Sequence, residues 1–140
     1  MFLKVGSTPK KQRRLYLMKI TLPTGMEVIK VGVSSGVSSK ERLLQICSGI
    51  YDKYRSTPMI KLLRDREVDA DSVFKYETIL HQYFADYRYK TKKVFDGVTE
   101  MFVIPPDDAI QAYMAVIEGQ VPDNKYVYRE PEEDKLPDCI

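Results

Sequence analysis

The sequence predicts an α+β domain: a small antiparallel or mixed sheet of three strands, a hairpin plus one further strand, flanked by helices. Three observations predict it. Two β-branched, mostly apolar runs, Leu15 to Ile20 and Val28 to Val33, lie on either side of Pro23-Thr24-Gly25, the pattern of a hairpin. Two later segments repeat apolar residues at helical spacing. A chain of 140 residues, 44% hydrophobic and 30% charged, fits one ordinary domain that buries roughly two-thirds of its unfolded surface.

Residues 1–12, rich in lysine with Gly6, Ser7 and Pro9, lack any period and read as a basic arm. The hairpin opens a domain spanning 13–118. Ser38 with Glu41 three residues on has the form of a capping box, and Leu43, Leu44, Ile46, Cys47 and Ile50 make one helical stripe ending near Gly49. Met59 to Leu63, entered through Pro58, reads as the third strand. Asp69 or Asp71 caps a longer helix to about Tyr87, with Val73, Tyr76, Leu80, Tyr83, Phe84 and Tyr87 within one arc. A basic loop from Arg88 to Lys93 follows, then a short run from Glu100 to Ile104 in a strand pattern. Pro105-Pro106-Asp107 starts a last helix through about Ile117. Residues 119–140 form an acidic, proline-containing tail, expected to lie on the surface or to be disordered.

The net charge of +2 conceals an asymmetry. Residues 1–104 carry 19 Lys and Arg against 11 Asp and Glu, giving +8, whereas residues 105–140 carry 3 against 9, giving −6. A basic body is the footprint of a protein that meets phosphate backbones. Cys47 and Cys139 have the spacing of neither a disulfide framework nor a zinc-ligand set, which points to a reducing, cytoplasmic setting. The first residues do not have the pattern of a secretion leader, and no apolar run approaches the ~18 residues of a membrane span.

Four residues stand out against their elements, and a fifth lies beside one of them. Glu77 projects at the margin of the long helix's apolar arc, where an unpartnered carboxylate is costly, so a cation beside it is expected: a basic side chain such as Arg42 or Arg88, or a metal. Arg42 sits at the edge of the first helical stripe, where it can snorkel or hold a phosphate or carboxylate. Tyr16 and Lys30 interrupt otherwise hydrophobic strands; one reads as a core tyrosine, the other as an edge guard, or both as site residues. His81, the only histidine, lies one turn beyond Glu77.

In order and spacing these residues resemble the GIY-YIG nuclease superfamily. Leu15-Tyr16-Leu17 is similar to its first strand motif and Lys30-Val31-Gly32 to its second, followed by Ser34. Arg42 lies ten residues after Gly32, and Glu77 in Tyr76-Glu77-Thr78-Ile79-Leu80-His81 falls at the metal-binding position. The similarity covers roughly residues 14–103. It is closest to a divergent phage and bacterial branch with Lys-hydrophobic-Gly in the second motif, Glu-x-x-x-His on the helix and a Glu-x-Phe strand, resembled here by Glu100-Met101-Phe102. Two departures are visible: Arg14-Leu15 replace the Gly-Ile before Tyr16, and Lys30 stands where the second tyrosine is usual. Gly49-Ile50-Tyr51 spells the family name inside a helix and is a coincidence.

The resemblance implies a metal-dependent endonuclease acting on nucleic acid, DNA in preference to RNA, in the cytoplasm of a host cell where the chain is phage-encoded. Glu77 would hold Mg²⁺ or Mn²⁺, Arg42 would clamp the scissile phosphate, and Tyr16 would orient or deprotonate the water. Lys30 would add positive charge or, once desolvated, serve as a base, and His81 would assist the metal shell or proton transfer, or simply pack. Arg14, Lys40, Arg88, Lys90, Lys92 and Lys93 would meet the nucleic-acid backbone, with Tyr87 and Tyr89 available for stacking. So short a chain leaves specificity to substrate structure, a homodimer or a protein partner. The rival expectations are an inactive nucleic-acid binder, made plausible by Lys30, and a phage protein directed at a host partner through its acidic tail.

Overall fold

The computed structural model describes residues 12–95 and 97–130. Its frame is a four-stranded antiparallel sheet with three helices. Strand β1 (Gln12–Thr21) and strand β2 (Glu27–Ser34) form the expected hairpin, turning at Gly25, whose φ of 92° suits a residue without a Cβ. Helix α1 (Lys40–Tyr54) follows, then strand β3 (Met59–Asp69), helix α2 (Ala70–Tyr83), strand β4 (Met101–Phe102) and helix α3 (Pro106–Ile117). The strand order is β3-β1-β2-β4, so the hairpin is central.

The sheet has one strand more than the hairpin-plus-one expectation. The run at Glu100 to Ile104 contributes only Met101 and Phe102, which pair with Lys30 and Ile29. A 3-10 turn (Val98–Glu100) precedes it. Strand β3 also outruns its predicted five residues, because its second half, Arg64 to Asp69, is a charged edge that alternates outward and carries little apolar signal. Helix α1 continues past Gly49 to Tyr54 and ends with Arg55 in the left-handed region at φ 55°. Helix α2 stops at Tyr83, and the predicted final turn is a separate 3-10 segment (Ala85–Tyr87).

The Ser38–Glu41 capping box does not form. Ser39 is the N-cap of α1, and a distant residue satisfies it: Asp65 on β3 accepts the Ser39 N–H at 2.9 Å and the Ser39 hydroxyl at 2.7 Å. Arg14 Nε donates to the same carboxylate at 2.8 Å, and the Ser34 and Ser39 hydroxyls lie 2.7 Å apart. Burial opposes ionisation of Asp65, but the Ser39 hydroxyl and N–H, followed by Arg14, win and hold its carboxyl below the usual range. This network ties the start of α1 to the hairpin and to β3.

The period of two along each strand separates two cores. Leu15, Leu17, Ile29 and Val31 face α2 and α3, meeting Val73, Leu80, Phe84 and Tyr113. Tyr16, Met18, Ile20 and Val28 face α1, meeting Ile46, Ile50 and Phe95. The described tail residues, 119–130, form no helix or strand. Tyr126 nevertheless anchors them, because its N–H donates to the Tyr83 carbonyl, its hydroxyl to Asp108, and its ring meets Tyr83, Phe84 and Tyr87 edge-on. No helix among the described residues is long and apolar enough to cross a membrane. Cys47 is a free, half-buried thiol, while the basic arm up to residue 11, Cys139 and the end of the tail lie outside the described residues.

Candidate active site

The hairpin register brings the two strand motifs together. Tyr16 stands directly opposite Gly32, and Lys30 is the diagonal neighbour of Tyr16 on the same sheet face. Both side chains are completely buried. Lys30 Nζ donates to Tyr16 Oη at 2.7 Å and to Glu100 Oε2 at 2.6 Å, so the buried ammonium has a carboxylate partner, as burial of a charge requires. Two glycines shape the space. A Cβ on Gly32 would fall 2.2 Å from Tyr16 Oη, and one on Gly97 would fall 2.5 Å from Lys30 Cε, so the turn at Gly97 lies directly over the lysine. Glu100, about one-third exposed at 34%, links this buried pair to the surface.

Helix α2 reaches the same region from the opposite face of the sheet. Its arc places Val73, Leu80 and Phe84 in the core and leaves Glu77 and His81 along the outer side of β2, beyond the end of β4. His81 Nε2 lies 2.8 Å from the Val31 carbonyl oxygen. A carbonyl only accepts, so the ring carries its proton on Nε2 and keeps the Nδ1 lone pair. Burial pushes the imidazole below its ordinary pKa and keeps it neutral at pH 7. Phe102 packs 5.5 Å from the ring.

Glu77 is half-buried and, among the described residues, forms no ion pair with the basic side chains expected to neutralise it. Loss of water, reinforced by the Glu100 carboxylate and only partly offset by Lys30, raises its pKa to about 7. The carboxyl is thus poised to gain or lose a proton near neutral pH. Glu100 and Lys30 act on both Glu77 and His81 across this edge, and Arg88 acts on His81.

Arg42 lies at the far end of β2. With Arg13, Val33, Ser34, Ser35, Glu41 and Gln45 it lines an open polar pocket of about 240 Å³, and its Nη1 donates to Gln45 Oε1 at 3.1 Å. Ser34 is two strand positions beyond Gly32, about 7 Å along the same face.

The six residues expected at a nucleic-acid backbone are dispersed. Arg14 is occupied by Asp65, through the side chain and also the backbone carbonyl at 3.1 Å, which makes it an internal brace. Lys40 is exposed in the first turn of α1. Arg88 donates to the Thr99 carbonyl at 2.9 Å and covers the Phe102 ring, beside His81. Lys90 and Lys92 are exposed on the loop, and Lys93 sits 4.5 Å over the Tyr54 ring.

Glu100, Gly97, Asp65 and Arg13 carry geometry that the sequence reading did not single out as site residues. Glu100 had two usable signals: the Glu-x-Phe likeness, and its place immediately before the strand that pairs with Lys30, where a lysine on an interior strand needs a carboxylate. Among the described residues no three His, Cys, Asp or Glu side chains gather into a metal cage. No curated protein and no solved structure matches the chain. Residues 15–117, which contain the hairpin apart from the first three residues of β1, the three helices, and Tyr16, Lys30, Arg42, Glu77, His81 and Glu100, match the model of the T5orf172 domain. The chain therefore belongs to the T5orf172 domain family, a phage-associated family of nuclease-like domains.

Proposed function

We propose that this chain is a GIY-YIG-type endonuclease that hydrolyses phosphodiester bonds in nucleic acid, DNA in preference to RNA, with Mg²⁺ or Mn²⁺ held at Glu77. The observation that carries the reading is the convergence at one strand edge of the hydrogen-bonded Tyr16–Lys30 pair and the unpaired Glu77 carboxylate. A hard oxygen donor, half-buried and without a basic partner, suits a hydrated divalent cation that completes its shell with water and substrate phosphate. The lack of a three-residue cage among the described residues fits that ion better than a structural zinc. Bound there, the ion would stabilise charge developing on the phosphate and the leaving oxygen.

The remaining work falls to the chain's own side chains. Arg42, in its polar pocket, would grip the phosphate through its planar donor fork. Lys30 acts as a donor to both Tyr16 and Glu100, so it is a positioning residue, and Tyr16 Oη is the atom that would orient the attacking water. Neutral His81, with Nδ1 as acceptor, would take the water's proton and become the imidazolium. Tyr16 and Lys30 are both fully buried, with Gly97 lying over Lys30, so a substrate phosphate would reach the lysine by taking the place of Glu100 on it. That exchange keeps the buried ammonium paired throughout.

The same burial favours a second reading, a domain that binds nucleic acid without cutting it. One experiment separates the two: supercoiled plasmid and a structured RNA incubated with the protein in Mg²⁺, in Mn²⁺ and in EDTA, beside Glu77→Ala. Metal-dependent nicking or linearisation lost in the variant supports the endonuclease. Folded protein that retains plasmid in EDTA and cuts neither substrate supports the binder.

A further inference from the structure

Helix α2 carries an apolar residue on its open side that the core does not use. Phe74 is 51% exposed, three residues before Glu77, and residues at that spacing are neighbours on a helix surface. A single exposed aromatic is ordinary. This one has two further properties. The Arg13 guanidinium lies 5.9 Å from its ring centroid, and Arg13 also lines the pocket that holds Arg42. Arg13 thus joins the Arg42 pocket on one side of the sheet to the Phe74–Glu77 row on the other, passing around the end of β2.

We propose that Phe74 and Arg13 form a subsite for an unpaired nucleotide adjoining the phosphate that is cut, the base stacking on Phe74 and its phosphate lying between Arg13 and Arg42. The chemistry matches the parts. An exposed ring accepts any base face, and two guanidiniums with the Ser35 hydroxyl offer donors to phosphate oxygens, the one opposing group in the pocket lining being the Glu41 carboxylate. One helical turn, about 5 Å, separates Phe74 from Glu77, so the stacked nucleotide is next to the scissile phosphate rather than several removed. Bases inside a duplex have both faces covered by their neighbours, so this subsite selects a strand end, a flap or a single strand over intact duplex. The subsite deepens the nuclease reading and rests on its nucleic-acid part, not on turnover.

Binding in EDTA tests it, by fluorescence anisotropy with a single-stranded oligonucleotide, a blunt duplex of the same sequence, and a single strand containing 2-aminopurine. Phe74→Ala is expected to weaken single-strand binding roughly five- to a hundredfold, the range for losing one stacked base, and to change duplex binding less than twofold. Phe74→Trp is expected to keep or improve single-strand affinity, which separates lost stacking from a folding defect. Quenching of 2-aminopurine by the wild type should disappear in Phe74→Ala. Equal losses on single strand and duplex, no loss on either, or quenching that persists in Phe74→Ala would overturn the subsite. Because nothing is cut in EDTA, a negative plasmid assay bears on the nuclease reading alone and a Phe74-independent affinity on the subsite alone.

Discussion

Glu77→Gln is expected to make the folded protein more stable at pH 8 and to leave it unchanged near pH 4.5. The reasoning starts from the raised carboxyl: about 7 in the fold against an ordinary 4.5. A carboxyl whose folded pKa exceeds its unfolded one binds more protons folded than unfolded between those values, so stability falls as pH rises through that window. At 1.36 kcal/mol for each unit the penalty above pH 7 reaches about 3 kcal/mol, and solvent access along the open edge of β2 trims it to about 1–3 kcal/mol. Glutamine keeps the shape and removes the charge. Urea unfolding at pH 4.5, 6 and 8 reads the difference, which should grow with pH and level off above about 7.5. A variant no more stable than wild type at pH 8, or a difference independent of pH, would refute the claim that Glu77 is an unneutralised, desolvated carboxylate.

Asp65→Asn should show the opposite slope. Its carboxyl is depressed, so its stabilisation is present above the unfolded value of 3.8 and disappears as pH falls through the folded pKa; the loss of about 2–4 kcal/mol at pH 7 should vanish in strong acid, by the same urea assay. Gly32→Ala should displace the Tyr16 hydroxyl, lowering stability by about 1–3 kcal/mol and plasmid cleavage at least a hundredfold, because the new methyl and Tyr16 Oη cannot share a 2.2 Å separation. Lys30→Met, similar in volume, should fold with stability changed by less than about 2 kcal/mol, since Glu100 can turn to solvent, yet lose cleavage; thermal melts and plasmid nicking check both. Tyr126→Ala should cost about 3–5 kcal/mol, because the ring fills an aromatic cluster and the hydroxyl meets Asp108.

The parts of the fold legible in sequence are those whose burial imposes a period. The hairpin was readable because both strands are interior and β-branched, and α2 because a single arc faces the core. The second half of β3 was hidden: its Arg64-Asp65-Arg66-Glu67 run looks like a loop until β1 is known to pair with it. The cap of α1 was misread because the helix takes its partner from Asp65, on another strand, and no local pattern encodes such a contact. Within the site, Tyr16 with Lys30 and Glu77 with His81 could be singled out because each violates its surroundings. Their meeting depends on register and on how α2 crosses the sheet, neither of which a one-dimensional pattern contains. Arg14 shows another limit of the pattern, since a basic residue next to a motif reads as a phosphate ligand, while in the fold it donates to the Asp65 carboxylate.

The most direct test of the central claim is the rate of plasmid cleavage in Mg²⁺ held well below saturation from pH 5 to 9, for wild type and Glu77→Gln. A carboxyl near 7 that must be ionised to hold the ion predicts a wild-type rate rising about tenfold per unit below pH 7 and flat above pH 8, with the variant at background throughout. A Glu77→Gln variant that cuts at the wild-type rate would contradict it.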